Sequence, residues 1–346
     1  MLTEPRPGRT GRPLRRSVLL WLLVAGLVAL GGGIALRQVI FEHWPVTPPG
    51  VQRVKIPPGT ALPQIADQLA QAGVIGDAGR FVRLVRWRDT ARQLKAGEYE
   101  FAAAATPRQV LERLVAGDVI KVRLTVPEGF TLREIAARVA AAGLGGATQF
   151  LQLATDPAYA GRLGIKAATL EGYLFPETYI VSTATGADEL LRAMVAQFNR
   201  QLTPELIAAA GAHGLDRHAL VTLASIVQKE AGSEEEMPLI AAVFHNRLRR
   251  GMRLQADPTV IYGIRGFDGN LTRRHLQTPT PYNTYTRKGL PPGPIASPGR
   301  AALRAAAVPA KSEALYFVAR GDGSHEFNTT LTAHNRAVQR FQRGKR

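Results

Sequence analysis

Residues 54–75, VKIPPGTALPQIADQLAQAGVI, can be laid on residues 124–145, LTVPEGFTLREIAARVAAAGLG, at one constant offset without a gap. Pro57 then falls on Pro127, Gly59 on Gly129, Leu62 on Leu132, Ile65 on Ile135, Ala66 on Ala136 and Gly73 on Gly143. Each copy predicts a strand, a Pro-x-Gly turn and an amphipathic helix stopped by glycine. Between the copies the pattern predicts helices over residues 78–87 and 106–116, with a strand over residues 95–101.

The order strand, helix, helix, strand resembles LysM-like modules, which bind the N-acetylglucosamine sugars of bacterial walls and chitin. Small modules of this kind also serve as spacers, and the repeat leaves both uses open. The expected fold class is α+β: an N-terminal transmembrane helix, a LysM-like α/β module and a mixed α+β catalytic part. The expected boundaries are a basic arm at 1–16, a membrane helix at 17–37, a stiff Pro-rich linker at 45–50, the LysM-like module at 51–120 and the catalytic part at 121–342. The second copy of the repeat makes the last boundary soft, because it can pack with either part.

The membrane helix rests on residues 17–36, SVLLWLLVAGLVALGGGIAL, which carry no charge. About twenty apolar residues at 1.5 Å each span a hydrocarbon layer of roughly 30 Å. Arg6, Arg9, Arg12, Arg15 and Arg16 precede them against one acid, Glu4. That bias holds the N-terminus in the cytoplasm and sends the remainder across the inner (cytoplasmic) membrane, into the periplasmic or extracytoplasmic space. A cleaved signal peptide is the competing reading, but its apolar core is usually shorter, and LRQVIFEHW lacks a small-x-small cleavage site. Trp21 and Trp44 lie near the two interfaces. A net charge of +17 would suit nucleic acid, an anionic membrane or an acidic polymer. Topology excludes the first. The absence of cysteine removes disulfides and thiolate metal sites.

Chemistry points to the second half. Leu220, Leu223, Val227 and Glu230 follow at helical spacing, so a carboxyl ends the apolar stripe of residues 220–230. Desolvation there would raise its pKa toward the range of a general acid. The alternative is a helix-terminal Glu230 that turns to solvent before Gly232. Leu170-Glu171-Gly172-Tyr173-Leu174-Phe175-Pro176-Glu177-Thr178-Tyr179 packs acids among aromatics, as a sugar cleft would. A buried turn uses aromatics in the same way, so Glu171 and Glu177 are either active-site acids or partners for basic groups and backbone amides. Ser233 and Glu236 have capping-box spacing ahead of a helix predicted from Met237 to Arg250. His245 in that helix has no second histidine at metal-ligand spacing, and no metal or other cofactor is expected. Pro- and Gly-rich runs around Gln255-Ala256-Asp257, Tyr282-Asn283-Thr284-Tyr285 and residues 289–299 predict ordered binding loops. A late hairpin is expected over residues 315–319 and 325–328, turning at Gly321-Asp322-Gly323, with a frayed tail after Arg340.

Taken together, LASIVQKE (223–230), FHNRL (244–248), MRLQADPTV (252–260), YNTY (282–285) and GLPPGPI (289–295) resemble the endolytic murein transglycosylases, the YceG-like family. The resemblance runs from the anchor to His325-Glu326-Phe327-Asn328 and His334-Asn335. It implies cleavage inside peptidoglycan strands between N-acetylmuramic acid and N-acetylglucosamine. Glu230 would protonate the glycosidic oxygen and then accept the proton of the muramic C6 hydroxyl as a 1,6-anhydro ring closes. One acid suffices, because the intramolecular hydroxyl replaces activated water. By the same resemblance Gln255, Asp257, Tyr282, Asn283 and Glu171 would bind substrate, glycan strands would be the ligand and peptidoglycan synthases the partners. Two other readings stay open: a lysozyme-type muramidase using Asp257, Glu171 or Glu177 as second carboxylate, and a wall-binding anchor without catalysis.

Overall fold

The structure is a computed structural model that describes residues 14–41 and 46–343, with side chains over 18–33 in the first stretch and 46–342 in the second. The basic arm up to Pro13, Trp44, the first residue of the linker and the end of the tail lie outside the described residues. Helix α1 (Leu14–Phe41) carries the apolar run, and its large side chains from Val18 to Leu30 are exposed. Among the described residues, no helix is long and apolar enough to cross a membrane, so the expected transmembrane helix is not confirmed.

The chain divides into two compact units, residues 1–120 and 121–346. In the first, β1 (Gln52–Ile56) leads into α2 (Leu62–Gln71) and α3 (Ala78–Trp87), and then β2 (Gly97–Phe101) and α4 (Pro107–Ala116) follow. Strands β1 and β2 pair antiparallel with Val54 opposite Tyr99. Ile65 and Leu69 of α2, Phe81 and Leu84 of α3, Tyr99 of β2 and Leu114 of α4 close one core. Alternation in the strands and three-to-four spacing in the helices are what this core requires.

The second unit opens by repeating the first. Strand β3 (Lys121–Thr125), α5 (Leu132–Ala141), α6 (Ala147–Ala154), α7 (Pro157–Arg162) and β4 (Thr178–Ser182) come in that order. Strands β3 and β4 pair antiparallel with Leu124 opposite Tyr179. The turn glycines keep their left-handed backbone in both copies, with φ +79° at Gly59 against +75° at Gly129, and +67° at Gly73 against +71° at Gly143. The repeat also extends beyond the stretch legible in sequence. The Tyr99 hydroxyl donates to Lys95 O at 2.6 Å, and the Tyr179 hydroxyl donates to Phe175 O, again four residues earlier, at 2.6 Å.

Helices α8 (Ala187–Gln201), α9 (Pro204–Gly211), α10 (Arg217–Glu230) and α11 (Met237–Arg249) follow, then the short α12 (Asp257–Tyr262) and α13 (Arg273–Gln277) and the alanine-rich α14 (Arg300–Ala307). Strands β5 (Tyr316–Ala319) and β6 (His325–Asn328) form the late hairpin, and α15 (Leu331–Val338) ends the regular structure. Helix α10 lies at the centre of this unit and packs against α14, α11, α9 and α12. Every residue from Leu220 to Val227 is buried, so the helix is enclosed on all sides rather than along one stripe. The amphipathic reading of α10 is corrected accordingly.

The capping box expected at Ser233 and Glu236 does not form. Ser233 caps nothing with its side chain, and Glu236 instead accepts from the His325 backbone N–H and from its Nδ1–H, each at 2.7 Å. A doubly bonded carboxylate fixed to a distant strand outcompetes a single local cap bond.

Candidate active site

Asp216 starts α10 by accepting from Ala219 N–H at 2.8 Å. Four turns later the helix delivers Glu230, half-buried at its C-terminal end. The carboxyl has no hydrogen-bond partner among the described residues. Burial pushes its pKa up to about 7, the negative charge of Asp257 adds to the rise, and the Arg247 guanidinium opposes it.

The groups around it come from three elements. Asp257 begins α12, is exposed, and accepts from the Tyr285 hydroxyl at 2.6 Å. The Tyr285 phenol is itself held well above its ordinary range by burial and by this bond. Arg247, on α11, is 7% exposed and forms no ion pair among the described residues. Its Nε donates to Leu315 O at 2.7 Å and its Nη1 to Leu254 O at 2.6 Å, and its guanidinium lies 5.3 Å from the centre of the Tyr316 ring. A buried cation satisfied by carbonyls keeps its positive field for its neighbours.

Gln255 follows Leu254 with φ +52°, a left-handed backbone rare for a residue with a side chain. The conformation is held from both sides: Gln255 N–H donates to Thr284 O at 3.2 Å and Ala256 N–H to Thr284 Oγ1 at 3.0 Å. Its side chain is exposed beside Asp257. Strain held at an exposed polar residue is the kind a binding site retains.

A strap, residues 289–299, buried from Gly293 to Gly299, runs along α10. His218 Nε2–H donates to Pro292 O at 2.8 Å while its Nδ1 pairs with the Tyr173 hydroxyl at 2.7 Å. Ser225 Oγ accepts from Ile295 N–H at 3.0 Å, and Gln228 Oε1 accepts from Gly299 N–H at 2.9 Å. Gly172 lets the strap approach: a Cβ there would meet Pro294 Cβ at 2.4 Å, and its φ is +81°. The Pro-x-Gly turn of the second repeat copy closes the same end of the helix. Gly129 N–H donates to Ser297 O at 2.8 Å and Lys229 Nζ to Gly129 O at 3.4 Å, while Gln228 also bonds the Glu128 carboxylate. In the first copy Pro57, Pro58 and Gly59 are exposed, whereas the second copy packs its turn against Gln228 and Lys229.

The remaining sequence candidates have partners of their own. Glu171 is 4% exposed and accepts from Leu132 N–H at 3.1 Å and from the Tyr262 hydroxyl at 3.0 Å. Burial pushes its pKa up to about 7 despite these bonds. It ties α5 to the end of α12 through these bonds. Asn283 is fully buried, and its Nδ2 donates to His275 O, Leu276 O and Thr278 O while its Oδ1 accepts from Tyr285 N–H. With every polar atom used it shapes the loop and has none to offer a sugar. Glu177 is exposed at the start of β4, where it accepts from Thr178 N–H. Tyr282 is half-buried, its ring 4.9 Å from that of Tyr262.

Arg247 and Tyr285 lie within the FHNRL and YNTY motifs. Arg247 had a signal like that of Glu230, since Ile240, Val243, Phe244 and Arg247 share helical spacing and are all buried. The bond from Tyr285 to Asp257 joins two loops and has no local signature.

The YceG-like family model matches residues 54–340. An endolytic murein transglycosylase of Bacillus subtilis (strain 168) is 30% identical over 329 residues, 90% of this chain and 91% of the relative. One from Streptococcus pneumoniae (strain D39) is 29% identical over 337 residues, and the match takes in 60% of its length. A crystal structure of a YceG-like protein from Listeria monocytogenes superposes with a TM-score of 0.58 at 32% identity, covering 83% of this chain and 98% of that one. The mixed α+β architecture is therefore shared with a solved relative, and the chain belongs to the YceG-like family.

Proposed function

We propose that the chain is an endolytic murein transglycosylase, a lyase that cuts inside glycan strands and leaves 1,6-anhydro-muramic ends. The reading is carried by Glu230, a half-buried carboxyl with no hydrogen-bond partner among the described residues and a pKa of about 7. Such a group is protonated often enough near neutral pH to give its proton to a glycosidic oxygen, and basic enough afterwards to take one from the C6 hydroxyl. Asp257, oriented by Tyr285, provides negative charge for the oxocarbenium-like centre. Gln255 and Tyr282 are the polar and aromatic groups offered to the sugars. The relatives, named endolytic murein transglycosylases, support the substrate.

The lysozyme-type alternative survives on one observation, that Asp257 lies near enough to act on Glu230. In that reading Asp257 would activate water or attack the sugar. The charge-free run of residues 17–36 is read as a single-pass membrane helix with the N-terminus in the cytoplasm. That reading is supported by the exposed apolar surface of α1 from Val18 to Leu30. Tethered there, the site would face nascent strands, and peptidoglycan synthases are the fitting partners. The first unit, with its strand-helix-helix-strand order, is assigned to glycan binding or spacing.

The test is mass spectrometry of strands digested by the full chain and by Glu230→Gln. Anhydro-muramic ends from the parent, reduced about 10²- to 10⁴-fold in the variant, are expected. Hydrated reducing ends would replace the lyase by the hydrolase, and kcat/KM should fall as pH rises past about 7, as Glu230 loses its proton.

A further inference from the structure

We infer that a cationic rim beside the Glu230 site, formed by Arg253, Arg287 and Lys288, is a subsite for the carboxylates of peptide stems carried by the glycan. The inference rests on the reading of the chain as a murein transglycosylase. All three side chains are exposed, and none makes an ion pair among the described residues. Between Arg249 and Lys288 the acids are Asp257 and Asp268 alone, and Asp257 is already engaged by Tyr285.

The backbones that carry these cations are fixed to the site. Arg253 precedes Leu254, whose carbonyl is held by Arg247 at 2.6 Å. Arg287 N–H donates to Asn283 O at 3.2 Å, in the loop that Asn283 anchors through its side chain. The two loops are joined where Gln255 N–H meets Thr284 O. Along the chain Arg253 precedes Gln255 and Asp257, and Arg287 and Lys288 follow Tyr285, on two loops held together by that bond.

Arg253, Arg287 and Lys288 are exposed to solvent on the loops that carry Gln255, Asp257 and Tyr285, open to a branch of the substrate. A saccharide backbone without substituents has no anion for them. The stems do, at their C-termini and acidic side chains, and a guanidinium fork suits a carboxylate. Because the cations share loops with the cleavage residues, a ligand on the same strand fits better than a separate anionic polymer or a lipid surface.

The experiment compares the full chain in detergent with the triple variant Arg253→Gln, Arg287→Gln, Lys288→Gln on two substrates: peptide-bearing strands, and the same strands with stems removed by an amidase. The parent should prefer peptide-bearing strands, and the ratio of the two kcat/KM values should fall about tenfold in the variant, the combined effect expected of three exposed charges. Restoring Arg253 and Arg287 as lysines should recover part of the ratio, which a folding defect would not. An unchanged ratio overturns the subsite. So does a variant whose only loss is binding to anionic vesicles or to phosphate-rich wall polymer, which would assign the rim to those ligands. If the parent cuts neither substrate, the transglycosylase reading fails instead. Retention of peptide-bearing strands by the parent, and its loss in the variant, then decides the rim separately.

Discussion

Glu171, buried, and Glu230, half-buried, are carboxyls with pKa values near 7 in different surroundings. Glu171 spends its oxygens on Leu132 N–H and the Tyr262 hydroxyl, whereas Glu230 keeps its own unspent. Both make the fold pH-dependent with the same sign. Each holds its proton more tightly in the folded state than in the unfolded one, where a glutamate titrates near 4.5. Stability from this source is full below about pH 4.5 and is lost as pH rises through about 7. For Glu171 the loss amounts to roughly 3 kcal/mol. Glu171→Gln should therefore remove about half of the decline in unfolding free energy between pH 5 and pH 8, measured by denaturant titration at each pH. The comparison is of slopes, because the new amide protons lack an acceptor and lower the absolute stability at every pH. A slope equal to the parent's would mean that Glu171 is ionised in the folded protein.

At the scale of elements, α10 and its strap form one device. The strap holds an irregular backbone in the interior, and its N–H and C=O groups have to be met by side chains of the helix. Ser225 meets one of them, accepting from Ile295 N–H at 3.0 Å while its own hydroxyl donates to Thr222 O at 2.7 Å. Ser225→Ala leaves Ile295 N–H buried without a partner, at a cost of about 1–3 kcal/mol. A fall in Tm should appear together with faster hydrogen exchange confined to residues 292–299; exchange that rises evenly over the unit would show that the strap has no local dependence on this bond. Short-range pattern made much of this level legible. Helix α3, strand β6 and the hairpin turn follow from spacing and turn residues alone. The enclosure of α10 and the grip of Glu236 on His325 were not legible, because both depend on partners scores of residues away. Glu230 was found through the apolar positions preceding it, although those positions turn out to be buried on every side.

For the molecule as a whole, the repeat separates what the two units do. Ile65 and Ile135 are the same residue at matched positions, 4% and 0% exposed, each in the core of its own unit. Truncation to alanine deletes the same methylenes and should cost each core about 2–5 kcal/mol. The consequences should differ. Ile135 belongs to the copy whose turn backs Gln228 and Lys229, so Ile135→Ala should loosen α10 and lower cleavage along with stability. Ile65 belongs to the copy whose turn is exposed, so Ile65→Ala should release protection from exchange in α2, α3 and β2 while α10 keeps its own. Hydrogen exchange of both variants, read segment by segment beside the rate of strand cleavage, makes the comparison with matched chemistry on each side. Equal loss of protection in α10 from the two variants would refute a division of labour between the copies, and would require the first core to support the second.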